Sequence, residues 1–150
     1  MTLDTGDIAP ALDLATDDGG RTSLGGRRSV VYFYPKDDTS GCTREAIDFT
    51  ALAADFAAAN VQVIGVSKDS LAAHAKFRAK HALGVALAAD SDGVACAAWG
   101  VWVEKSMYGR KYMGIERATF LIGDDGRVIR AWHKVKVPGH AAEVLATARS

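Results

Sequence analysis

The sequence predicts an α/β fold, a central mixed β-sheet flanked by helices, and three observations carry that reading. Strand-like and helix-like segments alternate between residues 29 and 98. Nearer the C-terminus, two strand-like runs flank Gly123-Asp124-Asp125-Gly126, a strong hairpin signal that brings antiparallel pairing into the sheet. The chain has 150 residues, 49% of them hydrophobic, which is the size of one domain able to bury about two thirds of its unfolded surface.

Each element follows from its residues. Pro10, Leu12 and Leu14, the turn 17–20 (Asp-Asp-Gly-Gly) and a short return over 22–24 form an N-terminal β-hairpin extension. Residues 29–34 (SVVYFY) are β-branched and aromatic on both alternating sets, which suits a central strand covered on two faces, and Pro35 ends it. From 43 to 59, Ala46, Ile47, Phe49, Ala53, Phe56 and Ala57 recur at helical spacing, so Cys42 falls in the first turn of a helix. A buried strand over 61–66, a helix over 70–81, a short strand over 85–88 and a short helix over 92–98 follow. The stretch 100–116, with Trp102, Met107, Tyr108, Tyr112 and Met113 between glycines, is the least regular; it reads as a loop over a site or a surface excursion. Strands over 118–122 and 128–132 and an Ala-rich helix over 139–149 complete the chain.

Composition narrows the function classes. Eighteen basic residues balance eighteen acidic ones, and without a concentrated basic patch neither nucleic acid nor an acidic membrane surface is an expected partner. Residues 1–7 carry two aspartates and no basic residue, unlike a signal peptide, and the longest apolar run (61–66) is far too short to cross a bilayer. A soluble, cytoplasmic protein is expected. The scattered His74, His81, His133 and His140 lack the paired spacing of a zinc helix and read as surface residues, while Asp37-Asp38 and Asp90-Ser91-Asp92 read as turns. No Gly-rich phosphate cradle follows a strand, so no metal, nucleotide or other cofactor is implied.

The chemistry concentrates in residues 35–45, between the first central strand and its helix. Unpaired N–H groups and the helix dipole favour an anion at a first helical turn, so Cys42 should ionise more easily than a free thiol, whose pKa is about 8.5. Thr39 is placed either to cap the helix or to set a hydroxyl beside the sulfur. Pro35 either fixes the chain direction and shields the sulfur from water, or simply stops the strand.

Taken together, Pro35-x-x-x-Thr39-x-x-Cys42 resembles the active-site motif of the peroxiredoxins, and the longer stretch 32–45 (YFYPKDDTSGCTRE) is similar to their bacterioferritin comigratory protein, or Q-type, subfamily. The likeness extends through 61–67, 89–101 and 116–122, nearly the whole chain. It implies one thioredoxin-like domain over 1–150, often monomeric in this subfamily, that reduces hydrogen peroxide or organic hydroperoxides as an antioxidant enzyme. Cys42 would be the peroxidatic cysteine, with Thr39, Gly41 and Pro35 around it and Arg117 as the arginine that neighbours its sulfur. An arginine opening an apolar strand is costly to bury unless it faces an anion, which agrees. Glu45 resembles the glutamate that orients this arginine. The subfamily usually has proline where Ser40 stands, which implies a softer loop with the chemistry retained.

Peroxide attack leaves a sulfenic acid that a second thiol must condense with. Ile47 stands where many similar proteins carry a resolving cysteine, and residues 70–81 contain none, so Cys96 is the internal candidate. The expectation is instead a one-Cys enzyme reset by thioredoxin, glutaredoxin or a small-molecule thiol, with Cys96 structural. A peroxide sensor that passes its oxidation to a partner protein is the non-enzymatic alternative.

Overall fold

The structure, a computed structural model, describes residues 3–150. Its first central strand, β1 (Arg28–Phe33), pairs in parallel with β2 (Val61–Ser67), which pairs in parallel with β3 (Ala86–Ala89). On the other side of β1 the sheet turns antiparallel, through β6 (Ala118–Ile122) to β7 (Val128–Trp132), giving the order β3-β2-β1-β6-β7. The helices are α1 (Ser40–Ala51), α2 (Ala53–Ala58), α3 (Leu71–His81), α4 (Val94–Ala98) and α5 (His140–Arg149). This is the mixed sheet with flanking helices that the sequence predicts.

Two successive crossovers in one direction, β1 to β2 and β2 to β3, place their helices on the same face because such parallel units share one hand. On that face Val30, Tyr32, Tyr34 and Leu121 meet Ala46 and Phe49 of α1, Phe56 of α2, Phe77 of α3 and Val144 of α5. The alternate residues Val31, Phe33, Ile64, Phe120 and Ile122 point the opposite way, against Leu3, Leu12, Ala95, Cys96 and Trp99. Period-two alternation along one strand therefore separates two cores, and it also separates the two cysteines.

Three elements differ from the sequence reading. The single helix expected over 43–59 is broken at Leu52, whose N–H bonds back to Phe49 in a tight turn. Phe49 and Phe56 stay seven residues apart on one side, so apolar spacing alone could not expose the break. The N-terminal hairpin is a narrow loop with one bridge, Ala15 to Arg21, and a further bridge from Thr16 to Ala88 of β3. The stretch read as irregular, 100–116, is a second hairpin of β4 (Trp102–Met107) and β5 (Arg110–Ile115). Its two-residue turn has Tyr108 and Gly109 both at positive φ (52° and 76°), the geometry that matches strand twist. A tyrosine at the first of these positions is a weak turn signal in a sequence, which is why the hairpin was not legible there.

Candidate active site

β1 delivers the chain to the site. Its continuation Tyr34 still bonds to the sheet through Val66, after which residues 35–39 cross to the start of α1. Thr39 is extended (φ −90°, ψ 156°) and its carbonyl accepts the Thr43 N–H at 2.8 Å, so it is the N-cap residue. The capping role expected of its side chain is not formed: the Thr39 hydroxyl donates to the Lys36 carbonyl at 2.8 Å and makes no capping bond to α1. Pro35 ends the sheet hydrogen bonding and is exposed to solvent.

Cys42 is the third residue of α1 and only 1% exposed. Arg117 sits immediately before β6, whose first residue Ala118 pairs with Phe33, so the sheet register brings the guanidinium to the end of β1 where α1 begins. One Arg117 nitrogen, Nη2, donates to Cys42 Sγ at 3.3 Å and the other, Nη1, to Glu45 Oε1 at 2.7 Å. Burial works against the arginine's charge, but Glu45 and Cys42 outweigh it and its pKa is raised. Burial pushes the Glu45 carboxyl up to about 7, against the pull of Arg117. Its second oxygen, Oε2, has no hydrogen-bond partner among the described residues.

Gly41 fits this geometry through size. A Cβ there would stand 3.1 Å from Arg117 Nη2, closer than ordinary contact, so the glycine leaves room for the guanidinium beside the helix. The arrangement stabilises negative charge at sulfur with a fixed cation and the open N–H groups of a helix start. It would equally stabilise an alkoxide or hydroxide leaving from a substrate that reached the sulfur alongside the guanidinium.

Cys96 is not part of this site. It is buried on the other face of the sheet, in α4, and its N–H bonds to Asp90 Oδ2 at 2.8 Å. Burial, and then the Asp90 carboxylate, raise its thiol pKa.

Two of the four histidines correct the expectation that all lie on the surface. His74 is fully buried, and His140 is 7% exposed, with Nε2 2.8 Å from the Thr119 hydroxyl and burial holding its pKa down at about 4. Asp37, in the turn expected at 37–38, is also buried and binds His74. A lone histidine or an aspartate pair carries no signal of a contact 37 residues apart, so the sequence could not have shown it.

The AhpC/TSA family model matches residues 5–131. Peroxiredoxin Bcp of Bacillus subtilis is 47% identical over 150 residues, covering 98% of this chain and 96% of the relative. The solved structure of Xanthomonas campestris Peroxiredoxin Q superposes with a TM-score of 0.90 at 44% identity, over 97% of this chain and 96% of that one. A second structure, of the Xanthomonas campestris bacterioferritin comigratory protein, concerns that protein's alkyl peroxide reduction activity and superposes with a TM-score of 0.89 at 43% identity, over 97% of each chain. By the family match, by relatives that span nearly its full length and by a shared thioredoxin-like fold, this chain belongs to the AhpC/TSA family as a peroxiredoxin of the Bcp or Q type, a thiol-dependent peroxidase.

Proposed function

We propose that Cys42 is the peroxidatic thiol and that the enzyme works by one-Cys chemistry on hydrogen peroxide and organic hydroperoxides. The observation that carries the reading is the Arg117 guanidinium bridging Cys42 Sγ and Glu45. The Cys42 thiolate attacks the distal peroxide oxygen; the S–O bond forms as the O–O bond breaks, and the released alkoxide or hydroxide takes up a proton. Arg117 faces both sulfur and the developing oxyanion, so its stabilisation grows toward the transition state. Cys42 is left as a sulfenic acid, oxidised by two electrons as the peroxide is reduced to alcohol or water.

Resetting then falls to an external thiol. It displaces water from the sulfenic acid to form a mixed disulfide, and a second thiol releases Cys42 as the donor pair becomes a disulfide. Thioredoxin, glutaredoxin or a small-molecule thiol would each supply the two electrons. The position of Cys96 favours this route over an internal resolver, because the sheet separates the two sulfurs and a disulfide needs α-carbons within about 7 Å. The same separation disfavours a two-cysteine cycle without partial unfolding. A cytoplasmic, monomeric single-domain enzyme completes the proposal.

Intact mass after one equivalent of hydrogen peroxide, with a sulfenic-acid trap present, tests it. A trapped sulfenic acid on Cys42 in both wild type and Cys96→Ser supports one-Cys chemistry. A loss of two protons in wild type alone would make Cys96 the resolver. Repeated turnover with excess thiol separates the enzyme from a sensor that reacts once.

A further inference from the structure

The loop between β1 and α1 is fastened to the rest of the molecule by a buried polar cluster that the peroxide chemistry does not use. The Asp37 carboxylate accepts from the Tyr34 hydroxyl through Oδ1 at 2.6 Å, and its Oδ2 lies 2.6 Å from His74 Nδ1 on α3. The other ring nitrogen, His74 Nε2, lies 2.9 Å from the Ala88 carbonyl on β3. The Asp37 N–H donates to Asp69 Oδ2 at 2.9 Å, and the Ser67 hydroxyl donates to the same oxygen at 2.6 Å. His74 and Asp37 side chains are 0% and 6% exposed.

Donor counting narrows the charge state. A carbonyl only accepts, so Nε2 carries a hydrogen, and one further proton lies between Nδ1 and Asp37 Oδ2. On the ring, that proton makes His74 an imidazolium paired with the Asp37 carboxylate, the form that the surrounding acceptors favour. Burial alone would lower the His74 pKa, but the Asp37 bond and charge, the Ala88 carbonyl and Asp69 together raise it. No basic group among these neighbours opposes the charge; Arg78, one turn along α3, is engaged by Asp17 and by the Leu83 and Val85 carbonyls.

We propose that Asp37 and His74 are positioning residues for the peroxidatic site, an ionic clamp that anchors residues 35–39 to α3 and β3 and thereby sets where the first turn of α1 carries Cys42. The loop needs such an anchor. Asp38 is held at φ 60°, in the left-handed region that a non-glycine residue adopts only under constraint. Ser40 stands at the end of the loop, where a proline would have stiffened the chain. On its outer side Asp38 pairs with Lys80 and His81, so adjacent aspartates grip α3 from within and from the surface. The outer pairs are solvent-exposed and weak; the inner one is dry and loses its partner's compensation if broken.

The proposal rests on Cys42 being the reacting thiol, and its test separates the two ideas. In the reduced wild-type protein, nitrogen NMR of labelled histidine should show both His74 ring nitrogens protonated at neutral pH; a neutral single tautomer would overturn the clamp. His74→Ala and Asp37→Ala should slow peroxide reduction by about 10- to 100-fold. Both should also speed alkylation of Cys42, read by peptide mass mapping, by about 10-fold as the loop opens. Overall destabilisation would expose both sulfurs, so alkylation of Cys96, buried in the other core, is the control and should stay unchanged. Asp37→Asn can still accept from Tyr34 but carries no charge, so it should recover little of the rate that Asp37→Ala loses. Folded alanine variants with both rates unchanged, or an asparagine variant as fast as wild type, would overturn the clamp. Peroxide turnover by Cys42→Ser would instead overturn the assignment of the thiol, leaving the NMR and alkylation results to judge the clamp alone.

Discussion

Cys42 and Cys96 occupy matching positions: each is the third residue of a helix, and each is almost wholly buried, at 1% and 0% exposed. What differs is the charge on the sulfur's side. In α4, Asp90 reaches over the helix start and takes the N–H groups of both Ala95 and Cys96, so the helix end is already neutralised by a carboxylate. In α1, Thr39 turns its hydroxyl away to Lys36, no side chain caps the first turn, and a guanidinium stands 3.3 Å from the sulfur. Burial and helix position are thus shared by the two thiols. The sign of the nearest charge separates them.

Removing each sulfur in turn is the strongest test of that contrast. Cys42→Ser should abolish peroxide turnover, whereas Cys96→Ser should keep most of it, both measured with excess thiol reductant. Equal losses in the two variants would erase the distinction between the sites. Next in size is Arg117→Ala, which removes the cation and leaves Glu45 buried without its partner; we expect peroxide reduction to slow on the order of 100-fold or more. A rate within a few-fold of wild type would show that the helix start alone activates the thiol.

Gly41→Ala sharpens the comparison without removing any charge. Alanine favours the helix by roughly 0.5–1 kcal/mol over glycine, but its Cβ would meet Arg117 Nη2 at 3.1 Å and displace it. Thermal stability should hold or rise while the peroxide rate drops several-fold. A variant both more stable and equally fast would mean that the guanidinium has room to move without consequence.

The sheet, its helices and the segment around Cys42 were legible because they rest on local signals: alternation in 29–34, helical spacing after Cys42, and a motif whose members lie within eleven residues. Arg117, 75 residues from Cys42, and Glu45 came only through the family likeness, since no local pattern reports a pairing set by the β1–β6 register. Side-chain rotation escaped entirely: Thr39 holds the expected place but points to Lys36. The Asp37–His74 pair escaped for a related reason. Each residue alone has a plain surface explanation, and only the crossover through β2 and α3 brings them together.

The smallest predicted effect compares two titrating groups inside the core around Cys42. Glu45 has a folded pKa of about 7 against an ordinary 4.5, so the native state holds its proton longer and this group's contribution to stability falls as pH rises between those values. His140 has a folded pKa of about 4 against an ordinary 6.5, so the unfolded chain binds the proton first and its contribution grows as pH rises. Over their shared span the two slopes oppose one another. Glu45→Gln should therefore leave a contribution that climbs with pH from about 4.5 to 6.5, and His140→Gln one that falls over the same span, each by about 1–3 kcal/mol across the window. Urea midpoints at several pH values read the difference, and the exposed carboxylates that titrate in acid cancel because both variants share them. Parallel profiles would mean that the two groups do not titrate in the folded core as their burial implies. The corresponding loss of slope in the double variant would tie both effects to the core that holds Cys42.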